Sequence, residues 1–254
     1  MNRTRTLAPI PPTVWTAGPN PIDPAVTWPA PIIEAITTSF SRPGDCVVLA
    51  PWPAHAAETR GLAGDGALTG ARDAVRALGR NAIVEELAPT SSSVAGTAEV
   101  AEDRAESGDG ARLGAMAADR ANLVIASMPP ERGTDGSAEV LALAAARALA
   151  FGGVLAVYTH SDWSTGRLIH PSGPMIVAAQ NADLLYLQHI VTVLTPIHGG
   201  RLQPMPEPLR QVSNEAALSA QLVGSATTGH ARVHGDVLVF AQAHTAIAHP
   251  EDLR

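Results

Sequence analysis

Residues Asn122–Glu131, Asn-Leu-Val-Ile-Ala-Ser-Met-Pro-Pro-Glu, decide how the chain is read. Leu123 to Ala126 form an apolar run between polar neighbours, the pattern of a short buried strand. Pro129 and Pro130 follow almost at once and predict an end to ladder pairing with no immediate helix. A strand stopped by a stiff loop holds the next side chains in place at the carboxyl edge of its sheet. In open α/β sheets that edge is where ligands bind.

Upstream of this stretch, Pro29 and Pro31 open a predicted helix running to about Phe40, with Ile32, Ile33, Ile36 and Phe40 at helical spacing. A turn, Ser41-Arg42-Pro43-Gly44-Asp45, leads to the strand Cys46–Ala50. Residues 71–79 read as a short helix stopped by Gly79, with Pro51 to Gly70 irregular in part. Ala82-Ile83-Val84 is a second strand, ending in Glu85-Glu86. Ala88–Gly110 suggests a loop holding a short third strand, and a brief helix near 111–118 precedes the opening stretch.

Downstream, Ser137–Ala150 reads as a helix stopped by Gly152-Gly153, and Val154–Tyr158 as the next strand. Ser172–Ala182 is a further helix and Leu184–Leu194 a strand rich in β-branched residues. Pro196–Pro208 is a loop, Asn214–Val223 carries a helical pattern, and Asp236–Phe240 is the last strand. Strands alternating with helices at this spacing indicate parallel βαβ units. Two closing strands with no clear helix between them predict an antiparallel pair at one edge. The expected architecture is α/β: a doubly wound, Rossmann-like, mostly parallel seven-stranded sheet with an antiparallel terminal strand. Residues 1–27 form a Pro-rich arm, ordered where Val14 and Trp15 dock, 28–241 the domain, and 242–254 a tail.

Composition narrows the chemistry. The 254 residues are 46% hydrophobic and carry a net charge of −7, so no global basic field favours nucleic acid, and such a contact needs a local arginine patch. All 17 basic residues are arginine, which excludes a phosphate-binding lysine, a Schiff-base lysine and a lysine base. The single cysteine, Cys46, reads as a small buried apolar residue. No apolar run reaches membrane length and the first residues lack a signal core, so the expectation is a cytoplasmic chain without a membrane partner. His230 and His234, like His244 and His249, read as scattered surface histidines and not as metal ligands. His160-Ser161-Asp162 follows a strand end without making a triad, and His170 reads as a loop residue.

The order of elements, with Arg42-Pro43-Gly44-Asp45 before Val47-Val48-Leu49 and a Pro-Pro loop after the central strand, resembles the class I S-adenosylmethionine-dependent methyltransferases. More closely it is similar to the amino-methylating (N4-cytosine/N6-adenine) DNA methylases, across roughly Trp15 to Phe240. The resemblance implies S-adenosyl-L-methionine at the loop after the first strand, where the family has Asp-Pro-Phe-x-Gly-x-Gly. Here that loop is Ala50-Pro51-Trp52-Pro53-Ala54-His55-Ala56, which marks Ala50, Trp52 and Ala54 as cofactor positions. The family glycines let the backbone approach the cofactor; Ala54 and Ala56 add methyl groups and Pro53 removes an N–H. The resemblance also gives Glu85 to the ribose hydroxyls and puts Asp109, in Gly108-Asp109-Gly110-Ala111-Arg112, near the adenine. From the residues alone, both acids also suit a solvated loop.

The family's catalytic Asp/Asn/Ser-Pro-Pro-aromatic signature falls on Met128-Pro129-Pro130-Glu131, with Ser127 just before it. In the family the first side chain and a backbone carbonyl bond the target amine while the aromatic stacks on the flipped base. Methionine is only a weak acceptor and glutamate has no stacking face. Departures at both loops point to a methyltransferase-like pseudoenzyme that acts in binding or as a protein partner's subunit. The alternative is an active methyltransferase on a nucleic-acid or small-molecule amine, using Ser127 or Glu131. A different Rossmann-like enzyme is the third reading.

Overall fold

The computed structural model describes residues 13–51, 64–85, 121–133, 136–163, 167–203 and 232–243. Its strands are β1 (Val14–Thr16), β2 (Cys46–Ala50), β3 (Asn81–Val84), β4 (Ala121–Ser127), β5 (Leu149–Thr159), β6 (Leu184–Val193), β7 (Ile197–His198), β8 (Arg201–Leu202) and β9 (His234–Gln242). The helices are α1 (Ala30–Phe40), α2 (Gly64–Ala77), α3 (Ser137–Ala148) and α4 (Ser172–Asn181). Seven strands form one sheet in the order β1-β6-β9-β5-β4-β2-β3, and β7 and β8 pair separately.

The apolar runs that identify the strands are continuous because the sheet is covered on both faces. Along β2, Val47 and Leu49 enter one core with Ile32, Ile33 and Ile36 of α1 and Ala71 and Val75 of α2. Val48 and Ala50 point the other way, into a second core with Leu141 and Ala145 of α3 and Met175 and Ala179 of α4. β4 repeats the alternation, with Leu123 and Ile125 on the first face and Val124 and Ala126 on the second. The chain is therefore a doubly wound, Rossmann-like α/β domain, the fold class expected from the sequence. Small side chains on α3, notably Ala138, Ala142 and Ala145, are fully buried against the sheet.

β2, β3, β4 and β5 pair in parallel, and β1 pairs in parallel with β6. β9 runs antiparallel to both β5 and β6. The antiparallel strand is thus the last in the chain, as expected, but it does not form an edge pair. It is inserted inside the sheet, so Val237, Leu238, Val239 and Phe240 are all fully buried. Three-residue β1 and four-residue β3 form the edges, short strands that offer little unpaired backbone. The seventh strand is β1, from the Pro-rich arm, and the expected third strand lies outside the described residues, as do the helices expected near 111–118 and 214–223.

Several boundaries differ from expectation. α2 begins at Gly64, well before residue 71. α3 ends at Ala148, where Leu149 is already extended at φ −74° and ψ 135°. Gly152 and Gly153 therefore do not stop the helix but lie inside β5, beside a break in its register with β4. Gly152 has φ +73°, a conformation glycine adopts without strain. A Cβ on Gly153 would lie 2.8 Å from both the Ala121 and Ala150 carbonyl oxygens. Cys46 is half-buried instead of buried, and its thiol pKa is raised by burial, then by Glu85 and Asp45.

Because the two closest atoms to that Cβ are backbone, with Leu149 Cδ2 a further contact at 3.1 Å, Gly153→Ala must shift a strand. The expected loss is about 1–3 kcal/mol, the usual cost of overpacking. Urea unfolding checks it: a midpoint unchanged from wild type would show that the bulge is not tightly constrained.

Candidate functional site

The six parallel strands all end on one edge of the sheet, which brings together Ala50, Glu85, Ser127 and Thr159. A strap formed by residues 17–29 crosses this edge on its way from β1 to α1. The Ile22 amide donates to the Leu194 carbonyl (2.8 Å), and Ser127 Oγ donates to the Thr27 carbonyl (2.6 Å). Asp23 stiffens the strap by accepting from the Ala25 amide at 2.8 Å, a side-chain turn that fixes the local backbone. Ile22 and Trp28 bury their side chains beneath it.

Met128 is anchored by its backbone. Its amide donates to the Tyr158 carbonyl (2.9 Å), and its carbonyl accepts from Thr159 Oγ1 (2.7 Å). Its side chain is 1% exposed and packs in the core beside α3 and α4. Pro129 is half-buried and Pro130 buried. Pro130–Gly133 forms a short 3₁₀ turn closed by the Arg132 amide on the Pro129 carbonyl at 3.1 Å. The prolines therefore do not exclude an immediate helical turn: the first residues of a helix need no intrahelical N–H, so proline fits there. Glu131 is exposed within this turn. The loop thus offers a ligand neither the Met128 side chain nor a free Ser127 hydroxyl.

Two strands away, Glu85 follows β3 and its amide donates to the Leu49 carbonyl (3.0 Å). Glu85 is therefore a neighbour of Ala50, which is buried at the end of β2. Partial burial raises the Glu85 carboxyl pKa. Such a carboxylate, at a strand's carboxyl end, can accept hydroxyl hydrogen bonds from a nucleoside ribose. Trp52, Ala54 and Asp109 lie outside the described residues.

Between the strap and the ends of β4 and β5 is a cavity of about 90 Å³. Its wall includes Val26, Thr27 and Ser127, with Tyr158, His160 and Arg232. Of these, Tyr158 and Arg232 were not singled out by sequence motifs, and His160 entered only in a His-Ser-Asp run that makes no triad. The available signal was weak: β5 ends in Tyr158-Thr159-His160 at the same edge as the Pro-Pro loop, whereas nothing near Arg232 points to the strap. Tyr158 is 3% exposed. Its phenol pKa is raised by burial, which outweighs the opposing effect of Arg232. Gly235 makes room for the ring: a Cβ there would be 2.7 Å from Tyr158 Cε2 and 2.9 Å from its hydroxyl.

Behind this wall Asp236 is almost fully buried and pairs with His189 Nε2 at 2.8 Å. Further along the edge, Ser161 Oγ and His170 Nδ1 are 2.7 Å apart on a loop pinned by paired backbone bonds between Asp162 and Ile169. No group of three or more histidine, cysteine, aspartate or glutamate side chains suited to a metal occurs among the described residues. Nor is any described helix long and apolar enough to cross a membrane.

His160 gives the site a pH signature. Burial, then the Arg232 charge, lowers its pKa from 6.5 to about 3, with Asp162 opposing and His234 adding to the shift. Between those values the unfolded chain binds a proton that the folded chain does not. The associated stability is therefore intact above about pH 6.5 and lost as the pH falls. His160→Gln should make stability less steep between pH 6 and 4, by up to about 1.4 kcal/mol per pH unit. Urea titrations across that range check this, and parallel wild-type and mutant slopes would contradict it.

No family model and no curated protein matches the sequence. Solved structures do resemble it. A geranyl diphosphate C-methyltransferase from Streptomyces coelicolor A3(2), in complex with Mg2+, geranyl diphosphate and S-adenosyl-L-homocysteine, is 12% identical, with 85% of this chain and 79% of that chain covered and a TM-score of 0.41. The [4+2]-cyclase SpnF is 11% identical, with 84% and 81% covered and a TM-score of 0.43. A structure described under the conversion of a disulfide bond into a thioacetal group during echinomycin biosynthesis is 14% identical, with 88% and 86% covered and a TM-score of 0.41. At such identities these are likenesses of fold.

Proposed function

We propose that the chain is a methyltransferase-like protein of the DNA amino-methylase type that retains a nucleoside-binding corner but does not methylate amines through Met128–Glu131. Its role is then binding, or service as a partner subunit. The observation that carries this reading is the state of the loop after β4. Met128 is buried in the core, and the Ser127 hydroxyl donates to the Thr27 carbonyl. An amine substrate needs an acceptor side chain at that point, and glutamate in place of an aromatic residue supplies no stacking surface.

S-adenosyl-L-methionine fits the corner in one respect that supports the reading. Glu85 stands beside the buried end of β2 with a partly buried carboxyl, the group a ribose diol requires. When bound, the cofactor would supply an electrophilic methyl group. This chain's own contribution would be to hold the ribose at Glu85 and to close the end of β4 with the strap.

An active methyltransferase acting on a small-molecule amine is the second reading. It is favoured by the cavity beside Ser127, where the neutral His160 can accept a hydrogen bond from an amine, although its lowered pKa makes it a weak base.

Isothermal titration with S-adenosyl-L-homocysteine should give saturable binding. Glu85→Ala should weaken it at least about tenfold, the worth of a hydrogen bond to a charged group. Radiolabelled methyl transfer to DNA, RNA and small amines should be undetectable, and the double change Met128→Asn, Glu131→Tyr should not restore it. Absence of binding would overturn the nucleoside corner, whereas methyl transfer by the unmodified chain would establish the second reading.

A further inference from the structure

The cavity under the strap contains an imbalance that nothing in the nucleoside reading uses. Arg232 lines it, and a guanidinium keeps its charge at all ordinary pH values. Its Nε is buried without a hydrogen-bond partner among the described residues. The Tyr158 hydroxyl, on the same wall, is buried beside the Arg232 guanidinium, whose charge and hydrogen bonding both act on the phenol. Leaving a buried neutral donor unsatisfied costs roughly 1–3 kcal/mol, and a charged one such as the Arg232 Nε–H more. Among the described residues that line the cavity there is no carboxylate. Asp236 lies behind the wall, with Oδ1 paired to His189 and Oδ2 buried without a partner among the described residues, and its charge acts on the Tyr158 phenol.

We infer that this cavity is a binding site for a small organic acid, with the carboxylate on Arg232 and Tyr158 and a short apolar tail along Val26 and Pro129. Size, charge and wall chemistry agree on this class. A cavity of about 90 Å³ has the volume of about three waters at liquid density, the scale of a short-chain carboxylate and too small for a nucleotide. One guanidinium with one phenol suits a monoanion, whereas a phosphate dianion calls for more positive charge. Tyr158 remains a hydrogen-bond donor because burial keeps its phenol protonated. His160, neutral above about pH 3, adds no competing charge. Pro24, Val26 and Pro129 form the apolar side. The strap supplies Pro24 and Val26, so ligand binding and strap closure are coupled.

The test uses the full chain and sodium propionate, at ionic strength held constant with sodium chloride. Saturation-transfer NMR and thermal unfolding should both show saturable binding, with a rise in Tm that chloride alone does not produce. Arg232→Gln should weaken binding at least about tenfold, Tyr158→Phe less, and Arg232→Lys should retain part of it. If Arg232→Gln does not fold, the lysine and phenylalanine variants still rank the two contacts. Equal binding by all three variants, or no saturable binding to wild type, would overturn the proposal. S-adenosyl-L-homocysteine titrated into the same variants separates this site from the nucleoside corner. Arg232→Gln should leave that affinity unchanged and Glu85→Ala should leave propionate binding unchanged, so each site can fail without the other.

Discussion

The two hydrogen bonds that grip the Met128 backbone fix the functional edge of this molecule. Its amide belongs to Tyr158 and its carbonyl to Thr159, so the residue after β4 is tied to β5 on both sides. With the backbone held, the side chain has only the core to enter, and there it packs beside α3 and α4. Releasing it toward a ligand would break both bonds and expose a fully buried thioether, and burying a side chain of that size contributes about 1.5–3 kcal/mol. The same grip sets where Ser127 stands, within reach of the Thr27 carbonyl and so fastened to the strap. The loop after β4 is here part of the fold's closure.

Sequence patterns made the scaffold legible because it is governed by burial on two faces. Val47-Val48-Leu49 and Leu123-Val124-Ile125 are apolar without alternation, which only a strand covered on both sides requires. α1 was readable from proline at its start and isoleucines at helical spacing, and it begins and ends as expected. The position of β9 was not readable. Its sequence fixes that it is buried, but the choice between an edge and an interior slot depends on long-range pairing with β5 and β6. Gly152-Gly153 misled for a related reason. Two glycines after a helical run resemble a stop signal, yet here they serve a close approach to the Ala121 carbonyl that only tertiary structure reveals.

The site was legible in part. The carboxyl-edge location of Ser127–Glu131 and of Glu85 follows from strand ends, which hydrophobic runs mark well. Which side chains are available at that edge does not follow, because availability is decided by partners far away in the chain. Ser127 meets Thr27 across 100 residues, and Arg232 reaches the end of β5 from the start of β9. The strap reads in sequence only as part of a Pro-rich arm. Its role over the edge comes from the Ile22–Leu194 bond and from the pairing of β1 with β6, both non-local.

These constraints also explain why the edge divides into two chemistries. At the β2–β3 end, Ala50 and Glu85 stand side by side, and the Glu85 carboxyl suits neutral hydroxyl donors. At the β4–β5 end the strap closes over Arg232, Tyr158 and a neutral His160, a lining that favours an acceptor with negative charge. Placing both functions in one open groove would set Glu85 and an anionic ligand against each other. The anchored Met128 loop stands between them, and it can do so because its own polar groups are spent on β5 and on the strap. The rigidity of that loop thus keeps the Glu85 end and the Arg232 end of one sheet edge apart.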